Sequence, residues 1–447
     1  MIDEVSSSKT ETKVRGFRER MISFFEYLLM IFIIMEFNSA YTEYERLKSI
    51  ILYGSLLLIF LLFLLRKTSF KIDGFIWLYL FGSILPFSNV WHGTEKQFIK
   101  IYWIVLPVFL IYFSCLKRIK LRNIFSFLLK YSNVVTILAL ISLVYWVFGS
   151  NLGIISPTMY VPNTWKGEGI ELIPTYHFLY FETQDTSFMG YETVRNSGIF
   201  NEGPMYNMIL CVALAMELFI RPVKSILRIL LLAITIATTF TTTGVLFLGL
   251  TITWIVFHFF SEKFRVLLVG IVPILAVGML TFSSAIIEDK GSSSGEGSLR
   301  SRLYDITTCI EIGLENPVLG QGLFTKKLSE ASGGSYGYSN SLFTLFADGG
   351  FYTVFLYLAA LVLIPLRDYI KNRELLWPLL MFAYFLLFTF TISQYNLLTL
   401  LFMAFGLTMF SQEVSRKEDG DSDRSLNPTI ECSPIIETRV PEDMTIS

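Results

Sequence analysis

Charge is what this chain has least of. Only 16% of its 447 residues are Asp, Glu, Lys or Arg, against about 25% in a soluble globular domain. A water-soluble protein of 51.3 kDa needs charge to cover its surface, so the deficit argues against a typical cytosolic enzyme. Cysteine is sparse at 4, and the spacing of Cys115, Cys211, Cys309 and Cys432 suggests neither a metal site nor a disulfide frame. Histidine is rarer still at 3, with none beside a carboxylate at ligand spacing. No Walker loop, dinucleotide fingerprint or nucleophile elbow is present. The net charge of −1 offers no basic balance for nucleic acid. What the chain does have is 53% hydrophobic residues, 41 of its residues being Phe, and a mean hydropathy of +0.56. That excludes a disordered chain and points to a protein whose solvent is mostly lipid.

A spanning helix needs about 20 mostly apolar residues. The runs that qualify are about 21–38, 49–65, 72–91, 101–116, 124–149, 204–220, 225–241, 243–260, 264–283, 341–366, 374–392 and 394–411. Two neighbouring pairs must turn sharply, at Thr241-Thr242-Thr243-Gly244 and near Ser393-Gln394. The first run has no small-residue cleavage site after it, so it reads as a retained helix and not a signal peptide. With the N-terminus in the cytoplasm, about 24 of the 36 Lys and Arg fall on the inside, as the positive-inside rule expects. The sequence therefore predicts an all-α polytopic membrane protein. It would have about twelve transmembrane helices, a cytoplasmic tail over 1–20, a membrane domain over 21–411 and both termini inside. Residues 412–447 are polar and acidic and read as a disordered cytoplasmic tail. Two extracytoplasmic loops, about 150–203 and 284–340, are too long to be connectors.

The first loop closes with R-N-S-G-I-F-N-E-G-P, Arg195 to Pro204. Pro204 suits the first turn of a helix, and Glu202 precedes that positive helix end. An Arg beside a helix N-terminus at a membrane surface suits phosphate. The plainer alternative has Arg195 on lipid headgroups and Glu202 as a cap. The second loop reaches Arg300 and Arg302, then a helical segment with Leu303, Ile306, Ile310 and Leu314 on one face. Asp305, Thr308, Glu311 and Glu315 fall on the other. An interfacial helix is expected. The V-L-G-Q-G that follows, with Gly320 and Gly322, is a turn allowing close backbone approach. Asn340 and Ser341 are expected to cap the next span. Asp348 lies inside that span, where an ionisable group raises a functional question; Glu26, Glu36 and Glu217 raise it more weakly. Glu217 with Arg221 reads as an ordinary i,i+4 pair, and His177 reads as surface.

Three segments together resemble the O-antigen ligase/polymerase superfamily of bacterial surface-polysaccharide synthesis. They are R-N-S-G-I-F-N-E-G-P, S-R-L-Y-D-I-T-T-C-I-E-I-G-L-E-N-P-V-L-G-Q-G and S-N-S-L-F-T-L-F-A-D-G-G. The likeness covers about 190–365. It implies glycosyl transfer on the outer face of the bacterial cytoplasmic membrane, from an undecaprenyl-pyrophosphate-linked glycan, with inversion and without cofactor or metal. The family's loop arginines match Arg195 and Arg302. Their role would be to hold the pyrophosphate and offset leaving-group charge. Arg300, Asn201, Ser339, Asn340, Gly320 and Gly322 would contribute to substrate binding. Ligases of the family carry a His where this chain has Ser339, which favours a repeat-unit polymerase and leaves the general base open between Glu202 and Asp348, with His177 a distant third. The alternatives are an O-antigen or wall-glycan ligase, and a lipid-linked oligosaccharide flippase or other transporter. The latter would be expected to show repeated halves and broken helices at mid-membrane. Expected partners are the lipid-linked oligosaccharide and membrane lipid, with a chain-length regulator and a flippase as further possibilities, and no nucleic acid.

Overall fold

The computed structural model describes residues 2–66, 77–82, 96–119, 121–162, 172–188, 191–259, 295–322, 326–331, 340–373 and 375–418. The protein is mostly helical. Its helices are α1 (Ile2–Glu36), α2 (Glu45–Arg66), α3 (Lys96–Ile119), α4 (Leu121–Tyr145), α5 (Gly203–Phe219), α6 (Ile226–Thr238), α7 (Thr242–Phe259), α8 (Gly295–Glu315), α9 (Lys326–Ala331), α10 (Ser341–Leu358), α11 (Ile364–Asn372), α12 (Leu376–Thr389) and α13 (Leu397–Glu418). Helix α4 runs on into a π-turn at Trp146–Asn151, and α10 into another at Ala359–Leu363.

Among the described residues three stretches are long and apolar enough to cross a membrane: Glu45–Arg66, Arg122–Asn151 and Ser341–Asn372. Helices α5, α6, α12 and parts of α3, α7 and α13 are apolar but shorter. The expected twelve is thus a larger number than these. The run at 264–283 lies outside the described residues, and that at 72–91 is described only at 77–82, where it is helical. Both tight turns separate distinct helices, α6 from α7 and α12 from α13.

Lipid contact is written on α2. Ile50, Tyr53, Leu57, Phe60 and Leu64 recur at steps of three and four and are all exposed, while Leu52, Ser55, Ile59 and Leu62 face inward. A continuous apolar stripe on the outside is what a bilayer covers. Helix α5 is different: it is buried on every side, from Gly203 to Leu218, as an all-round apolar helix should be. Lipid tails are as apolar as leucine, so close packing holds such helices together in place of water exclusion. Gly406 shows this, because a Cβ there would collide with the Ala360 carbonyl in the second π-turn.

The first long loop corrects the all-α expectation. It folds into an antiparallel sheet of β1 (Met159–Pro162), β2 (Leu172–Tyr176) and β3 (Tyr180–Phe181), in that order, with Met159 opposite Thr175. A separate hairpin joins β4 (Asp185–Phe188) to β5 (Tyr191–Val194).

The helix ends sort into two groups. At one end of the bundle Ala40 N donates to Ile199 O at 2.9 Å, and Asn201 N to Asn38 O at 3.3 Å. There too Asn38 Nδ2 donates to Ile392 O at 3.4 Å, and Leu397 N to the Glu36 carboxylate at 2.9 Å. Glu36 therefore supplies the negative charge that a helix N-terminus favours, at the start of α13. These are the ends expected outside. The other end gathers the basic residues. Glu26 pairs with Arg66 and Lys130 and accepts from Tyr112 at 2.5 Å. Glu217 pairs with Arg221 at 2.5 Å and Arg228 at 3.5 Å.

Candidate active site

Arg195 leaves β5 and is held by its backbone, its N–H donating to Gln184 O at 2.9 Å. The next residues are fully buried and spent on structure. Asn196 donates through its backbone to Thr238 O and through its side chain to Thr238 Oγ1, both at 3.0 Å. Ser197 Oγ donates to Phe181 O at 3.1 Å and accepts from Thr183 at 2.8 Å. Phe200 bridges to Ser39, and Asn201 Nδ2 donates to Glu43 Oε1 at 2.7 Å. The motif thus ties the loop to α1, to the α6–α7 turn and to the sheet.

Glu202 occupies the N-cap position of α5 in extended conformation, but its side chain makes no cap bond. The cap expected of it comes instead from Gln184, whose Oε1 accepts the Gly203 N–H at 3.2 Å. Pro204 stands in the first turn as its fixed φ favours. Gly203 leaves room: a Cβ there would meet Thr239 O at 3.0 Å and Arg195 Cδ at 3.5 Å.

Arg195 is therefore packed against the start of α5. Burial lowers its pKa, the Glu202 carboxylate opposes that, and the positive charge of Arg302 adds to it. Its buried Nε has no hydrogen-bond partner among the described residues. The structure thus places Glu202 and Arg302 within electrostatic reach of Arg195, though Arg302 comes from the other long loop.

Arg302 rides on α8. The face of α8 that turns inward is not the expected one. Asp305, Thr308, Cys309, Ile312 and Gly313 are buried, whereas Leu303, Tyr304 and Leu314 are exposed. Close approach decides this, because Gly313 lies against the ring of Phe346 on α10, where any Cβ would clash. The helix presses its small and polar stripe on α10 and leaves its leucines outward.

The V-L-G-Q-G turn then stitches α8 to α10. Gln321 N donates to Ala347 O at 3.0 Å, Gly322 N to Asp348 O at 2.9 Å, Phe351 N to Pro317 O at 2.8 Å and Tyr352 N to Val318 O at 3.1 Å. Helix α10 breaks at Gly350, whose φ of 62° suits glycine. That break frees the N–H groups of Phe351 and Tyr352 for the turn. A Cβ on Gly320, also at positive φ, would fall inside the backbone of Asp348 and Gly349.

Asp348 is 2% exposed, and its Oδ2 accepts from Tyr395 at 2.7 Å. Asn340 sits at the N-cap position of α10 without capping it. Its amide is buried, with no partner for Nδ2 or Oδ1 among the described residues. Ser341 does not cap either; its Oγ accepts from Ser393 N at 2.8 Å and donates to Thr391 O, pinning α10 to the α12–α13 turn. His177 is exposed on the β2–β3 turn. Ser339 and the side chain of Arg300 lie outside the described residues. Sequence reasoning missed Gln184, Glu43 and Tyr395, whose partners lie 19, 158 and 47 residues away; no local pattern marks them.

Residues 227–358 match the family model described as O-antigen ligase. That domain supports membership of the chain in the O-antigen ligase/polymerase superfamily, whose members are enzymes acting on lipid-linked glycans. No curated protein and no solved structure matches the chain. The matched stretch includes Arg302, the V-L-G-Q-G turn and Asp348, while Arg195 and Glu202 lie before it.

Proposed function

We propose that the chain is a polymerase of lipid-linked polysaccharide repeat units, working at the outer face of the bacterial cell membrane with both termini inside. The observation that carries this reading is Arg195: desolvated, its Nε without a partner among the described residues, and facing the charge of Arg302. A partly buried arginine with a second cation bearing on it favours an anion beside it, and the pyrophosphate of an undecaprenyl carrier fits that need. The acceptor hydroxyl of a second lipid-linked unit attacks the anomeric carbon, the new C–O bond forms with inversion, and the bond to the pyrophosphate breaks. Undecaprenyl pyrophosphate leaves with its charge held by the arginines, where a low dielectric strengthens their effect. The hydroxyl proton passes to a base. Glu202 suits this role better than Asp348, because it faces Arg195 while Asp348 is buried against Tyr395. Transfer to lipid A-core by a ligase is the second reading, favoured by the description of the matching family.

A strain carrying Arg302→Ala tests both. A failed polymerase leaves single repeat units on the carrier. A failed ligase leaves long chains there. Full-length surface polysaccharide from that strain overturns the site.

A further inference from the structure

Beside the arginine pair lies a cleft that the transfer chemistry does not use. After α1 the chain turns through Ala40–Glu43 into α2, facing the β1–β2–β3 sheet. The space between them encloses about 430 Å³, within the roughly 300–1,000 Å³ of small-ligand sites. Tyr41 and Tyr44 line it from the α1–α2 connection, and Phe178 and Phe181 from the sheet side. The walls are fixed to each other: Tyr41 OH donates to the Phe178 carbonyl, and the Tyr41 and Phe181 rings meet edge-to-face at 5.9 Å. Tyr44 and Phe178 are 51% and 46% exposed. The lining also includes Glu43 and Asn201, joined by the 2.7 Å hydrogen bond already described. Asn201 immediately precedes Glu202.

We propose that this cleft is a saccharide subsite that seats a pyranose ring of the lipid-linked glycan next to the arginine pair. The proposal rests on the glycosyl-transfer reading. A pyranose has apolar C–H faces that stack on aromatic rings and a rim of hydroxyls that donate to carboxylate and amide oxygens. The cleft offers both. An isoprenoid chain would use the rings but would strip water from the Glu43 carboxylate without replacing it, which is costly. The geometry therefore favours sugar over lipid tail, and a glycan seated here would be fixed beside the site that holds its pyrophosphate.

The test uses full-length protein in lipid nanodiscs. The probe is the repeat-unit oligosaccharide cut from the strain's own polysaccharide, free of phosphate. Calorimetric titration should show saturable binding. Tyr44→Ala should weaken it about five- to tenfold, the size of one lost aromatic contact. Glu43→Gln should also weaken it, and Tyr44→Phe should restore most of the affinity. Because Tyr44 is half-exposed, its truncation does not open the core. No binding by the native protein, unchanged binding by Tyr44→Ala and Glu43→Gln, or displacement of the sugar by farnesol would each overturn the subsite. The two readings fail separately. If Arg195 and Arg302 variants lose polymer while cleft variants bind sugar normally, only the subsite falls. If the arginine variants still polymerise, the transfer site falls whatever the titration shows.

Discussion

The two ends of the bundle use the same residue types in opposite ways. At the end that gathers the basic residues, each buried glutamate is neutralised on the spot. Glu217 is fully buried and bonded to Ser132, Arg221 and Arg228, and Asn133 accepts from both arginines. The expected helix pair is thus one edge of a larger cluster. Glu26 is likewise enclosed by Arg66, Lys130 and Tyr112. At the other end Arg195 is half-buried, its Nε is without a partner among the described residues, and a second arginine bears on it. The glutamates of the first end each meet two cations at ion-pair distance. Arg195 has one carboxylate, Glu202, and one like charge, Arg302, bearing on it, a balance that on the proposed reading an incoming anion completes.

The contrast can be broken most directly at Arg195. Arg195→Lys keeps the charge but loses the planar fork, so product should fall by about 10²–10³-fold, the usual cost of one charge-stabilising donor. Arg195→Met should abolish product while leaving thermal stability in detergent unchanged or raised, since it removes a desolvated charge. A large drop in melting temperature would make Arg195 a structural residue like those at the other end. The mirror experiment is Glu217→Ala, which leaves Arg221 and Arg228 uncompensated. It should cost roughly 3–5 kcal/mol of stability, read as a lower melting temperature, with the turnover of surviving protein unchanged. Smallest is Gln184→Ala. It removes the acceptor for Gly203 N–H and should cost about 1 kcal/mol. It should also loosen Arg195, and so raise KM more than it lowers kcat.

Much of this was legible in the sequence, for physical reasons that differ by region. Helix positions and the two tight turns follow from long apolar runs, because a span must satisfy its backbone internally. The V-L-G-Q-G and D-G-G segments announce close backbone approach through their glycines. The small sheet was not legible: its strands run from two to five residues, too short for alternation to show. Nor was the inward face of α8, where hydropathy pointed one way and the fit of Gly313 under Phe346 decided the other. The capping role passed from Glu202 to Gln184 for a similar reason. The hairpin brings Gln184 across the helix end, and only tertiary structure reveals that.

The joint between the V-L-G-Q-G turn and the broken helix has a mechanical meaning. It is made of main chain on both sides, so no side-chain rotation can relax it. With Gly320 N also bonded to Asn316 O at 2.8 Å and Gln321 Nε2 to Ile312 O at 3.1 Å, the end of α8, the turn and the middle of α10 form one rigid piece. Arg302 is carried on a bracket bolted to a membrane helix. The arginine's position is therefore set by main-chain packing and not by the reach of a flexible loop.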